Sequence, residues 1–261
     1  MPRAEGLHYE EQGPADGPPL ILSSGLGGSA SYWTPNLSAL AERFRVITYD
    51  HRGTGRSDRN LPAAVSLADL GNDMLMLADA LRLETVAICG HAIGGMAALE
   101  AVRAAPDRID QVVVINGWAS LDPQTNRCFD VRLTLLRKAG AAAYLEAQPL
   151  FLFPPDWLSD HDAQLRAESA HHLASWPGDA VVEKRVAAAR AFDCRDWADT
   201  VAADVLLYAA RDDLLVPCVN STRLQALLPN ARSVQRSWGG HAVNVTDPDA
   251  VNRGILDFLR S

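Results

Sequence analysis

Cysteine is scarce in this chain. Cys89, Cys128, Cys194 and Cys218 are spread through 261 residues with no CxxC or CxxH spacing among them. That distribution excludes the common zinc-ligand patterns and gives no disulfide framework. Long apolar runs are missing as well. No stretch reaches the roughly 18 residues of a membrane span, and Met1 to Glu11 lacks the apolar core of a secretory leader. Basic excess is absent too: the net charge is −8, which argues against general nucleic-acid binding. With no nucleotide, flavin or metal motif, neither a cofactor nor a metal is expected. The expectation is a cytoplasmic protein, since reducing compartments keep thiols free. Neither a membrane nor a nucleic-acid partner is expected, and the expected state is a monomer or homodimer.

What is present is an ordinary globular balance, 48% hydrophobic and 21% charged. The length suits one large α/β domain or a domain with an insertion. Short apolar runs alternate with helical patterns, the signature of a parallel sheet with crossover helices. Strands are expected at Pro19 to Ser23, Phe44 to Tyr49, Val86 to Cys89, Val112 to Ile115 and Val205 to Tyr208, with a last one at Ser233 to Arg236. Helices are expected around Tyr32 to Ala41, at Ser66 to Leu81, after Gly94, and at Asp249 to Leu259. In the second of these, Leu67, Leu70, Met74, Leu77 and Leu81 share one face. From about Gly117 to Trp197 the alternation breaks. That segment holds four of the six tryptophans and a proline-punctuated run, Pro149 to Pro155, unsuited to a helix interior. The expected organisation is core 1–117, helical cap 118–198 and core 199–261.

The stretch Gly90-His91-Ala92-Ile93-Gly94 has the form Gly-x-Ser-x-Gly with alanine in place of serine. The strand before it and the helix after it give the strand–turn–helix setting of a nucleophile elbow, whose central residue sits at positive φ. Upstream, Ser24-Gly25-Leu26-Gly27-Gly28 reads either as a plain tight turn or as an oxyanion loop. In the second reading Leu26 and Ile93 are the backbone donors. Downstream, Asp213 lies in Asp212-Asp213-Leu214-Leu215-Val216-Pro217, and His241 follows two glycines. An Asp–His pair fixes an imidazole tautomer and raises its basicity. Asp213 is preferred to Asp212 on its spacing to Pro217, the alternative being two exposed turn aspartates.

Several further residues divide between a structural and a chemical reading. His91 reads as packing beside the elbow, His51 as part of a turn network, and His171-His172 as surface or packing residues. In the cap, Arg127 and Arg132 are candidates to hold a carboxylate with the guanidinium fork. The alternative is a solvated helix face, preferred for Arg137. Asn116 and Trp118 are candidates to line a pocket, with Trp118 alternatively an anchor for the cap.

With these motifs in this order the chain resembles the α/β-hydrolase superfamily over nearly its whole length. Asp50-x-Arg52-Gly53-x-Gly55-x-Ser57 adds to the match. A narrower resemblance, to the RutD family, rests on the elbow with alanine, Asn116-Gly117-Trp118 and Arg127-Cys128-Phe129. Glu146 to Leu152, Pro155-Asp156-Trp157, Asp212 to Pro217 and Gly239 to Pro248 extend it through cap and core. The resemblance implies a small anionic C–N substrate, carbamate or aminoacrylate, broken down with release of ammonia in uracil use. It also implies that Ala92 is native. Two other readings stay open. One is a serine esterase, lactonase or amidase whose nucleophile was replaced by Ala92. The other is a non-catalytic ligand-binding protein on the same fold.

Overall fold

The computed structural model describes residues 2–259. Met1, Arg260 and Ser261, which end the two expected core segments, lie outside the described residues. Eight strands form one sheet: β1 (Arg3–Ala4), β2 (Leu7–Gln12), β3 (Pro19–Ser23), β4 (Arg45–Tyr49), β5 (Ala87–His91), β6 (Gln111–Ile115), β7 (Asp204–Ala210) and β8 (Ala231–Arg236). Their order is β1-β2-β4-β3-β5-β6-β7-β8. From β4 to β8 neighbours pair in parallel, while β2 pairs antiparallel with β4 and β1 antiparallel with β2.

The helices are α1 (Thr34–Leu40), α2 (Leu67–Ala80), α3 (Ile93–Ala104), α4 (Pro123–Ala147), α5 (Pro149–Leu152), α6 (Pro155–Asp160), α7 (Asp162–Ala174), α8 (Asp179–Ala191), α9 (Val219–Gln225), α10 (Val243–Thr246) and α11 (Pro248–Phe258). Successive strand residues face opposite sides of the sheet, and both sides are covered. Ile21, Ile88, Val112 and Val114 pack with α2 and α3. Leu20, Leu22, Cys89, Val113 and Ile115 pack with α1 and α11. Burial on both faces explains why these strands read as continuous apolar runs rather than alternating ones.

The run of helices α4 to α8 lies between β6 and β7. Gly140 takes φ 85 inside α4 and kinks it. The prolines of 149–155 start helices rather than occupy their interiors: Pro149 opens α5 and Pro155 opens α6, where a missing N–H costs nothing. Ser66 caps α2 reciprocally with Asp69. The structure corrects the reading at two places. The expected helix at Tyr32 to Ala41 is a 3-10 turn, Ala30–Trp33, that hands over to α1 at Thr34. The antiparallel edge β1–β2 and the helix α9 were not expected at all.

Candidate active site

The chain turns from β5 into α3 at Ala92, which holds φ 48 and ψ −118. A residue with a Cβ is strained there, by ~1–3 kcal/mol. The surroundings enforce the turn. Ala92 N–H donates to Ile115 O at 2.8 Å, and Ala92 O accepts from Gly95 N at 2.9 Å. The strand and helix approach so closely that a Cβ on Gly90 would lie 2.4 Å from the Gly94 carbonyl carbon, and one on Gly94 would lie 2.3 Å from Ser23 O. The Ile93 N–H is the first of α3 and has no acceptor within the helix. It points out of a helix N-terminus, where partial positive charge collects.

His241 sits on the loop between β8 and α10. Its Nδ1 donates to Asp213 Oδ2 at 2.8 Å, and the side chains are 4% and 0% exposed. The other carboxylate oxygen, Oδ1, accepts from the Leu215 and Val216 amides at 2.8 and 2.9 Å. The two backbone donors and the His241 ring thereby fix Asp213 in place. With Nδ1–H engaged, the neutral imidazole presents Nε2 as a base. Asp212 has a different task. It accepts from the Gly239 and Gly240 amides at 3.2 and 3.0 Å, which holds the loop leading to His241.

The His241 backbone is held as firmly as its ring. His91 Nε2–H donates to His241 O at 2.8 Å, and Asn116 Nδ2 donates to the same oxygen at 2.6 Å. The His91 ring meets the His241 ring edge-on at 4.7 Å. Burial pushes the His91 pKa well below its usual value, with the His241 charge adding to the effect. His91 is therefore a neutral prop. Asn116, at φ 53, gives its remaining oxygen to Ala210 N at 3.3 Å.

This placement changes how the other candidates read. Both ends of the Asn116 amide are committed to backbone, so its part is to position His241 and not to line a pocket. Trp118 is 2% exposed and packs in the core, an anchor for the helices above. Arg127 is exposed and the structure does not bring it to the site. Arg132 is buried, and its Nη2 donates to Tyr144 Oη at 2.6 Å and Gln148 Oε1 at 3.0 Å.

The residue that the sequence reading passed over is Arg185 on α8. It is 2% exposed. Its Nε donates to Leu26 O at 2.8 Å, and its Nη2 to Gly25 O at 3.2 Å and His51 Nδ1 at 2.8 Å. In a trans peptide the N–H points opposite to the carbonyl, and no cis bond is present among the described residues. By gripping Gly25 O, Arg185 fixes the direction of the Leu26 N–H, the second expected oxyanion donor. It also sets the His51 tautomer: Nδ1 accepts, so Nε2–H faces Ser23 Oγ at 3.2 Å. Burial, without an ion-pair partner, pushes the Arg185 pKa down to about 10. A signal for it existed. Val182, Arg185, Val186 and Ala189 fall on one helical stripe, and the other three are apolar. A charge on an apolar stripe is buried for a reason.

A cavity of about 150 Å³ opens beside Leu26 and Arg185, between the glycine loop and α4, α7 and α8. Among the described residues no group of three or more His, Cys, Asp or Glu could hold a metal, and no helix is long and apolar enough to cross a membrane.

Comparison with known proteins places the fold and the family. The family model of the alpha/beta hydrolase fold matches residues 18–154. A curated relative from Caulobacter sp. (strain K31), named "Putative carbamate hydrolase RutD", is 48% identical over 257 residues, 98% of this chain and 96% of that protein. A solved hydrolase from Pseudomonas aeruginosa PA01 has TM-score 0.85 at 29% identity, covering 98% of this chain and 94% of that one. The enol-lactonase from Burkholderia xenovorans LB400 has TM-score 0.86 at 26% identity, covering 98% and 97%. With the elbow, the β-sheet order and kinship across nearly the full length all in agreement, the chain belongs to the RutD family of α/β hydrolases.

Proposed function

We propose that this protein hydrolyses a small anionic C–N compound, carbamate or aminoacrylate, releasing ammonia by general acid–base chemistry without a serine nucleophile. Kinship with RutD proteins suggests carbamate and the setting of uracil and pyrimidine nitrogen catabolism. The four cysteines are unpaired thiols, consistent with the cytoplasm. One observation carries the reading. A sealed His241–Asp213 pair at 2.8 Å accompanies an elbow whose central residue, Ala92, has no atom with which to attack.

The chemistry tolerates that loss. For carbamate, His241 Nε2 delivers a proton to nitrogen as the C–N bond breaks. The bonding pair leaves with nitrogen, giving ammonia and carbon dioxide, and the imidazole regains its proton from water. For aminoacrylate, the imine tautomer takes up water activated by the same nitrogen, then expels ammonia. Neither route needs a covalent acyl-enzyme. General acid–base catalysis supplies ~10²–10⁴-fold, enough for a bond that already breaks slowly in water. In this reading the Leu26 and Ile93 amides hold a substrate oxygen.

A second reading has its own support. The elbow keeps its strained φ of 48 and a lactonase shares the fold, and in this reading Ala92 stands where an esterase carries serine. The test compares native protein with Ala92→Ser. The proposal expects ammonia release from fresh carbamate above the spontaneous rate in the native chain, little changed by the substitution. Strong p-nitrophenyl esterase activity in Ala92→Ser, with a native chain silent on carbamate, decides for the second reading.

A further inference from the structure

The cavity between the glycine loop and the helices over it is lined by Leu26 and Thr54 from the core and by Tyr144, Gln148, Trp176 and Arg185 from above, and no Asp or Glu lines it. Two buried guanidiniums stand at or behind its wall, Arg185 in the lining and Arg132 behind Tyr144 and Gln148. Arg185 spends Nε and Nη2 on Leu26 O, Gly25 O and His51. Its Nη1 makes no hydrogen bond with any described residue, although the side chain is buried and borders the cavity.

Arg132 acts from behind. An arginine only donates, so the Gln148 oxygen is turned toward Arg132 Nη2 and the Gln148 NH₂ is left to face elsewhere. Tyr144 Oη likewise accepts from Arg132, so its own proton must go to another partner. The Arg132 guanidinium also stacks 4.8 Å over the Tyr144 ring, which fixes that ring. Neither arginine forms an ion pair with a described carboxylate; their contacts are carbonyls, an imidazole, a phenol and an amide. Three donors, from Arg185, Gln148 and Tyr144, thus make no hydrogen bond with a described residue around one cavity, and neither guanidinium beside it has a carboxylate in direct contact.

We infer that this cavity is a binding site for a small carboxylate, with Arg185 Nη1 as its principal contact and with Gln148 and Tyr144 as donors oriented by Arg132. A buried cation is stable when it is paired, and a carboxylate matches the guanidinium fork. Leu26, Leu145, Trp176, Pro177 and Val182 give the cavity apolar wall for a carbon stem, beside the polar side chains of Ser29, Ser31, Thr54, His171, His172 and Ser175. A cavity of about 150 Å³ holds a molecule of roughly benzene size, about six heavy atoms. The ligand class is therefore a small monocarboxylate of at most about six heavy atoms. That this ligand is the substrate rests on the hydrolase reading above; that an anion is held does not.

The probes are ¹³C-acetate and its neutral isostere acetamide, titrated by NMR at matched ionic strength. Neither tests turnover, so a failure here is separate from a failure of the proposed hydrolysis. The native chain is expected to bind acetate at least ~10-fold more tightly than acetamide, because a charged donor is worth far more to the anion. Arg185→Gln is expected to bring the two probes to parity. Gln148→Leu, a change at the cavity wall that leaves the loop contacts intact, is expected to weaken acetate severalfold even if the Arg185 variant does not fold. Equal binding of the two probes by the native chain, or acetate binding untouched by Gln148→Leu and Arg185→Gln, overturns the assignment.

Discussion

Ala92 carries a backbone strain that its own side chain cannot use. At φ 48 and ψ −118 a glycine is comfortable, so Ala92→Gly removes the strain, offset by the extra entropy that glycine loses on folding, ~0.5–1 kcal/mol. The expected result in urea unfolding is a variant at least as stable as the native chain, by up to ~1 kcal/mol. A clear loss of stability means that the turn is not strained. Asn116 is the residue whose role the sequence concealed most. Its type and its place after β6 suggested a pocket contact, yet its amide donates to His241 O at 2.6 Å. Asn116→Ala leaves that buried carbonyl with one donor fewer, an expected cost of ~1–3 kcal/mol. It should also lower kcat through misplacement of His241 while leaving KM nearly unchanged. A change confined to KM assigns Asn116 to substrate after all.

At the scale of the elements, the elbow is a packing solution between β5 and α3. Two glycines of the site should respond in opposite ways to alanine. A Cβ at Gly94 meets Ser23 O at 2.3 Å and Ser24 O at 2.5 Å, both backbone atoms. Gly27, in the glycine loop, has nothing within 4 Å of a built Cβ. Gly94→Ala is expected to lose ~1–3 kcal/mol or more, as overpacking does, and Gly27→Ala almost nothing. Thermal unfolding of the two variants checks this, and comparable losses contradict the packing account. The same scale shows what the sequence disclosed. The parallel strands are buried on both faces and announce themselves as apolar runs. The edge pair does not: Leu7-His8-Tyr9-Glu10-Glu11-Gln12 becomes progressively exposed along β2, so no hydrophobic signal marks it. Arg185 was missed for a related reason. Arg127 and Arg132 stand out by their closeness in sequence to the start of α4, while the burial of Arg185 follows from α8 folding over a loop about 160 residues earlier.

Across the whole molecule, buried histidines link stability to pH. Burial depresses the pKa of both His51 and His91, with the Arg185 charge adding for His51 and the His241 ring for His91. The unfolded chain, with histidines near ~6.5, therefore binds protons first as the pH falls. Stability is complete above that value and is lost below it, by up to ~1.4 kcal/mol per pH unit for each histidine. Urea midpoints should stay level from pH 8 to 7 and fall steeply between pH 6.5 and 5. A level profile down to pH 5 shows that the two rings are not held neutral. The architecture was legible in order and spacing, since glycine loop, elbow, aspartate and histidine follow one another along the chain. The cover over the site was legible only as a change in composition, because the contacts of Arg132 and Arg185 depend on how distant helices meet.

The central claim is that an Asp–His pair handles protons for a site with no attacking hydroxyl. The most direct measurement is ammonia release from fresh carbamate by native chain, His241→Ala and Asp213→Asn at equal concentration, after subtraction of the spontaneous rate. The account predicts a ~10²–10⁴-fold loss in His241→Ala and a large loss in Asp213→Asn, with all three proteins folded. Native activity retained in folded His241→Ala contradicts it.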